Sequence, residues 1–374
     1  MVKNLVIFGT RPEAIKMAPL IKEFEQRDQF DTKVCVTAQH REMLDQVLTF
    51  FDITPDYDLD LMTAGQTLHG LTARIINGLE SVLDDYHPDF VYVHGDTTTS
   101  MAASIAAFYS GAKVCHVEAG LRTFVKSSPF PEEINRQITG RIADYHFAPT
   151  ETSKKNLLLE NIDDQNILIT GNTVIDALHY STKKAILLET DEINALKKLI
   201  TNKKKIILVT GHRRENHGKG FENICNALSN IANSNRDVQI IYPVHLNPKV
   251  KDTVYDLLSS VENIHLIPPL SYEAFIWLMS HSYIILTDSG GVQEEAPSLG
   301  KPVLVLRENT ERPEAVDAGT VLLVGTDTDK IIRETTELLN DKKRYQAMAE
   351  LHNPYGDGKA CARIADFIEQ ITHK

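Results

Sequence analysis

The sequence predicts an α/β protein made of two Rossmann-like, doubly wound parallel-sheet domains. Short apolar runs recur along the chain, and most are continuous rather than alternating, as expected for strands covered on both faces. Helix-period segments lie between many of them, and repeated β-then-α order implies parallel strands joined by crossovers. The rhythm runs to about residue 170 and restarts after the lysine-rich stretch "ETDEINALKKLITNKKK", which places a domain boundary near Gly171 or shortly after. A chain of 374 residues is too long for one ordinary core and suits two.

In chain order the strand candidates are "NLVIFG", "KVCVTA", "FVYVHG", "KVCHVEA", "YHFAP", "NILITG", "KIILVTG", "VQIIYPVH", "YIILT", "PVLVLR" and "VLLVG". Residues 12–25 read as a helix with Ala14, Met17, Ala18, Ile21 and Phe24 on one face, and Pro19 inside it predicts a kink costing about 3 kcal/mol. Residues 97–109 read as a second helix, opened by hydroxyl caps and stopped at Gly111. The last segment, "NPYGDGKACARIADFIEQI", is a turn cluster followed by an amphipathic helix that could close either domain.

Composition narrows the class. The hydrophobic and charged fractions, 42% and 24%, are those of a soluble globular protein. Lys plus Arg is 39 and Asp plus Glu is 51, a net charge of −12 that argues against a nucleic-acid groove or an anionic membrane surface. Cys35, Cys115, Cys225 and Cys361 form no CxxC, so neither a disulfide framework nor a zinc site is expected. The start "MVKNLVIFG" has no signal-peptide character and no run approaches a membrane span, so a cytoplasmic protein is expected. No HxxxH, acidic metal cluster or GxGxxG appears, hence no metal and no nicotinamide cofactor are expected.

Several short stretches suit anion chemistry. In "DSGGVQEEAPSLG", Gly290 and Gly291 follow a buried run and open a helix, where bare N–H groups and the helix dipole accept phosphate. Glu295 lies one turn beyond Gly291 on the same face, within reach of sugar hydroxyls; alternatively Glu294 and Glu295 only complement the helix dipole. "GTRPEA" and "TERPEA" set Arg11 and Arg312 before a proline, in extended geometry at a helix start, where a cation wants an anion nearby. Lys16 adds charge beside Arg11. "VTGHRREN" puts His212, Arg213 and Arg214 straight after a strand, at the edge where doubly wound folds hold ligands. The two arginines would depress the proton affinity of His212, and a bound diphosphate would reverse that.

Three acids complete the set. Asp96 ends a strand and could instead cap a helix. Glu118 ends another. Glu132 sits in a helix first turn and could instead pair with Arg136 at i, i+4. Together they suggest general acid/base work.

Laid out together, these stretches resemble the bacterial non-hydrolysing UDP-N-acetylglucosamine 2-epimerases. The likeness rests on "FGTRPEAIKMAPL", "TAQHREMLDQVL", "VHGDTTTS", "HVEAGLRT", "PFPEEINRQITG", "HFAPT", "TGNTVIDAL", "GHRREN", "YPVHLNP", "LTDSGGVQEEAPSLGKPVLVLR", "TERPEAV" and "NPYGDG", in family order along nearly the whole chain. It implies a GT-B fold whose two Rossmann-like domains face a central cleft: 1–170 with the catalytic carboxylates, 171–356 binding UDP, and 357–374 returning to the first. It implies a homodimer with no cofactor. The activity would be reversible interconversion of UDP-GlcNAc and UDP-ManNAc, through elimination of UDP to a 2-acetamidoglucal and re-addition. The product would supply ManNAc to cell-surface polysaccharide or teichoic acid.

By motif match, Asp96, Glu118, Glu132 and His212 would be catalytic. Arg11, Lys16, Arg213, Ser289, Gly290, Gly291, Glu295 and Arg312 would hold UDP. Gln39, His40 and His245, with Glu132 and Arg213, match a second, activating UDP-GlcNAc pocket. That pocket is weakened here because Glu42 replaces a glutamine and Gly65 an arginine. The alternatives are a hydrolysing epimerase releasing ManNAc, a GT-B glycosyltransferase using the same UDP pocket, and a silent nucleotide-sugar sensor.

Overall fold

A computed structural model describes residues 1–37, 41–61, 63, 65–200 and 204–373, apart from the side chains of residues 41 and 42. The chain divides into two compact units, Met1–Ala177 with Gly356–Lys374, and Leu178–Tyr355. The first contains strands β1 (Val2–Phe8), β2 (Phe30–Val36), β3 (Tyr57–Asp58), β4 (Phe90–His94), β5 (Lys113–Val117), β6 (Tyr145–Ala148) and β7 (Ile167–Ile169). They form one parallel sheet in the order β3-β2-β1-β4-β5-β6-β7.

The second unit contains β8 (Lys205–Thr210), β9 (Val238–Pro243), β10 (Ile264–Ile267), β11 (Ile284–Thr287), β12 (Val303–Val305) and β13 (Val321–Leu323). These are parallel too, in the order β10-β9-β8-β11-β12-β13. Each unit thus starts at its sheet's centre, winds to one edge, and returns to lay its fourth strand beside its first. Connections leave in opposite directions from that switch point, which opens room at the carboxyl edge. In the first unit the loops concerned follow β1 and β4; in the second they follow β8 and β11.

Covering both faces explains the continuous apolar runs. Every residue of β4 is buried. Leu5, Ile7, Val91 and Val93 pack against Leu71, Ile75 and Leu79 of the helix Leu68–Tyr86 and Ala102, Ala103, Ala106 and Ala107 of the helix Thr98–Tyr109. The alanines let that helix lie close to the sheet. From the other face Phe24 reaches Tyr92, ring centroids 5.0 Å apart. In the second unit Ile207, Val209, Ile240 and Leu286 pack against Phe221, Ile224, Leu228 and Ile231 of the helix Lys219–Ser234.

The eleven strand candidates all become strands, while β3 and β10 escape the sequence. Both lie at a sheet edge. Two residues, one an aspartate, leave no periodicity in β3, and β10 carries a histidine and is only half-buried beyond Ile264. The first helix, Arg11–Glu25, runs through Pro19 as one segment with Pro19 buried.

The helix Ala360–Thr372 belongs to the first unit. The Asp176 carboxylate accepts the N–H groups of Ala360 and Cys361 at 3.1 and 3.0 Å, and Arg27 reaches Asp366 and Glu369 at 2.8 and 2.6 Å. Burial pushes the Asp176 carboxyl up, against the two amides that favour its charged form. Among the described residues no helix is long and apolar enough to cross a membrane, and no group of three or more His, Cys, Asp or Glu could hold a metal ion.

Replacing Asp176 by Ala strands two helix-start amides and should cost about 2–3 kcal/mol. Thermal melting should fall by several degrees, and hydrogen exchange across 360–372 should accelerate. Unchanged exchange would assign the docking to Arg27 and apolar packing alone.

Candidate functional site

In the first unit the turn after β1 is built around Glu13. Thr10 is the helix cap, extended at φ −121 and ψ 159, and Glu13 closes a capping box with it. One Glu13 oxygen accepts Gly9 N, Thr10 N and the Thr10 hydroxyl at 3.1, 2.8 and 2.7 Å. The other accepts the Thr97 and Ser100 hydroxyls at 2.6 and 3.3 Å, so this buried carboxylate ties the loops after β1 and β4 together. Arg11 becomes the first helical residue instead of the extended one, because the capping box outweighs the pre-proline preference. Its side chain makes no hydrogen bond or ion pair among the described residues.

Asp96 is not the cap of the helix Thr98–Tyr109; Thr97 is, accepting Ser100 N at 3.0 Å. Asp96 is free for other work, and its carboxylate meets the buried Arg136 at 2.6 Å. Asn135 donates to the Asp96 carbonyl at 3.0 Å. Arg136 also lies 3.3 Å from Glu133, so it pairs with Asp96 and Glu133 and not with Glu132. Glu132 opens the helix Glu132–Ile142, and its Oε2 is buried without a hydrogen-bond partner among the described residues. Neighbouring Glu133, fully buried, accepts Thr123 N and Phe124 N at 3.0 Å each and fixes the preceding loop.

Glu118 follows β5 in the left-handed region, φ 60. That turn aims its carboxylate at Lys16 Nζ, 2.5 Å away, with His94 Nε2 at 3.4 Å. Burial pushes the Glu118 carboxyl up, yet the Lys16 charge and then His94 hold it well below the usual carboxylate range. Gly95 lies beside it at φ 63; a Cβ there would stand 4.0 Å from Glu118 Oε1. The Gly95 carbonyl accepts His116 Nε2–H at 2.7 Å, and burial lowers that imidazole to about 3, so it stays neutral.

In the second unit β8 and β11 end side by side, Thr210 opposite Thr287 with hydroxyls 2.6 Å apart. The chain after β8 gives Gly211, His212 and Arg213, and the chain after β11 gives Asp288, Ser289 and Gly290. Two guanidinium groups converge on Gly290: a Cβ there would lie 3.8 Å from Arg312 and 4.0 Å from Arg213. Arg213 Nε is buried and has no partner among the described residues. Of the two adjacent carboxylates, Glu294 pairs with Arg312 Nε, and Glu295 turns back one turn to within 3.9 Å of where a Gly291 Cβ would be. The helix Gly290–Glu295 therefore presents its backbone with one acid neutralised and the other set deeper. Arg307 braces the surrounding loops by pairing with Glu215 and Glu311 at 2.6 Å each.

His212 is 42% exposed; its Nδ1 lies 3.0 Å from Asp288 and its ring stacks on His245 at 5.8 Å. His245 is thus a neighbour of His212 in the same unit. Gln39 and His40 lie outside the described residues, as does the side chain of Glu42. Gly65 is exposed in a turn at φ 68. Glu13, Glu133, Arg136, Asp288 and His116 were absent from the sequence-predicted set. Only Glu13 had a local signal, the T-x-x-E spacing of a capping box.

The sequence matches the family model described as UDP-N-acetylglucosamine 2-epimerase over residues 22–369. It is 59% identical to the UDP-N-acetylglucosamine 2-epimerase of Salmonella typhimurium over 369 residues, 98% of each chain. The crystal structure of UDP-GlcNAc 2-epimerase from Neisseria meningitidis bound to UDP-GlcNAc superposes with a TM-score of 0.87 at 52% identity, over 99% of this chain and 100% of that one. The S. aureus protein MnaA, solved with UDP, gives 0.87 at 46% identity over 100% and 97%. Two parallel-sheet α/β units that carry these motifs, with such relatives over their full length, place the chain in the UDP-N-acetylglucosamine 2-epimerase family.

Proposed function

We propose that this epimerase interconverts UDP-GlcNAc and UDP-ManNAc by eliminating UDP across C1–C2 and adding it back. The hydrogen at C2 has no carbonyl beside it, so direct abstraction to a carbanion would face a prohibitive barrier. Elimination avoids that carbanion. A carboxylate takes the C2 proton, the C1=C2 bond forms, and the C1–O electron pair leaves on the diphosphate. Re-addition with a proton delivered to the other face gives the epimer.

The observation that carries this assignment is the convergence of Arg213 and Arg312 on the bare backbone of Gly290. Cations placed where charge develops on the leaving group are the term that usually contributes most to such a step. Arg213 Nε, a buried donor lacking an acceptor among the described residues, suits a phosphate oxygen. Ser289, Gly291 and Arg11 complete the set offered to UDP, and Glu295, one turn deeper, suits the ribose hydroxyls. His212 faces the same diphosphate. The relatives solved with UDP-GlcNAc and with UDP support substrate and leaving group.

Proton transfer falls to Asp96, Glu118 and Glu132. Glu118 is a carboxylate at neutral pH because Lys16 and His94 hold it there, which suits a base. Lys16 thereby serves Glu118 as well as the nucleotide. Glu132, with a buried oxygen that has no hydrogen-bond partner among the described residues, has lone pairs to offer the substrate. The family resemblance supports a cytoplasmic homodimer whose ManNAc enters cell-surface polysaccharide or teichoic acid.

Glu132→Gln should keep UDP affinity within about twofold while turnover falls by about 10²–10⁴-fold, the usual contribution of positioned acid/base groups. Nucleotide titration and a coupled assay measure the two separately, and unaltered turnover would remove Glu132 from proton transfer. In deuterated water the wild type should load solvent deuterium at C2 of both epimers. Mass spectrometry showing retained protium would contradict elimination.

A further inference from the structure

Asp288, at the end of β11, is fully buried and faces the loop that carries His212. Its Oδ2 accepts His212 N and Arg213 N, both at 2.8 Å. Its Oδ1 is also buried and, among the described residues, has no donor other than the His212 imidazole, with Nδ1 3.0 Å away. A buried carboxylate oxygen without a donor is costly, so Nδ1 carries a proton and points it there. The second ring nitrogen, Nε2, is then the one left for a ligand.

We propose that Asp288 is the positioning residue of His212, holding the imidazole in its Nδ1–H tautomer and presenting Nε2 to the substrate diphosphate. This rests on His212 facing that diphosphate, as set out above. Burial pushes the Asp288 carboxyl up, but His212 and the two backbone amides hold it below its ordinary value, so it is ionised at neutral pH. An imidazolium at His212 is therefore compensated from behind while Nε2–H donates to the anion in front. The groups around the ring fit this arrangement. His245 stacks on its face, 26° from parallel, while Arg213 follows it in the chain. His245 Nδ1 accepts Asn247 N at 3.1 Å, so neutral His245 carries its proton on Nε2, the opposite tautomer.

The substitution Asp288→Asn has a defined consequence. The carboxamide oxygen is needed by the two backbone amides, which puts the NH2 group against His212 Nδ1. That nitrogen must then become an acceptor, and the proton moves to Nε2. A mere packing role predicts no such shift.

The test is two-bond 15N–1H correlation spectroscopy on the full-length, 15N-histidine-labelled protein at about pH 9, where imidazoles are neutral. His212 is assigned by its loss in His212→Gln. The wild type should show Nδ1–H at His212 with Nε2–H at His245, and Asp288→Asn should convert His212 to Nε2–H with kcat/KM reduced at least tenfold. Wild-type His212 found as Nε2–H overturns the proposal, and this outcome does not depend on the variant folding. So does an unchanged tautomer in a folded Asp288→Asn. A converted tautomer with full turnover would support the Asp288–His212 pair and overturn the diphosphate role of His212.

Discussion

A parallel sheet delivers its loops to one edge but gives their backbone amides no partner there, and this chain meets that constraint with buried carboxylates. Glu13 takes the amides of Gly9 and Thr10, Glu133 those of Thr123 and Phe124, and Asp288 those of His212 and Arg213. Asp176 does the same for Ala360 and Cys361. A carboxylate suits the task because its two oxygens form strong, charge-assisted bonds to several donors at once. Three of the four clamps sit beside a proposed working side chain: Glu13 beside Arg11, Glu133 beside Glu132, Asp288 beside His212.

The same economy of charge reconciles an acidic protein with an anionic ligand. The net charge of −12 describes the surface as a whole, whereas the seat at Gly290 is local. Glu294 pairs with Arg312, and Arg213 Nε is a buried donor with no acceptor among the described residues. On the first unit the logic reverses. Lys16 and His94 keep Glu118 ionised, while Arg136 ties Asp96 and Glu133 into one network.

Much of this was legible in the sequence because burial on two faces forces long apolar runs. The central strands announced themselves for that reason, and the motif loops followed directly from their carboxyl ends. Two of the four edge strands did not, since β3 has only two residues and β10 is partly solvated. The residues proposed to face a ligand had local signals in their neighbours: a proline after Arg11, two glycines after Ser289, a strand before Glu118. The Asp288 clamp and the Asp96–Arg136 pair were not, because their partners are distant in sequence. Asp288 meets Arg213 across 75 residues and Asp96 meets Arg136 across 40. Local spacing carries no information about such pairs. The alternative of an Arg136 pair with Glu132, one turn away, also fails, because Arg136 pairs with Asp96 in the turn after β4 and with Glu133.

The account stands or falls on where the diphosphate sits. A crystal structure of the protein soaked with UDP measures this directly. Phosphate oxygens within hydrogen-bond distance of the Arg213 guanidinium and the Gly290 amide are the expected result. Phosphates bound elsewhere, with Arg213 Nε still lacking an acceptor, would contradict it.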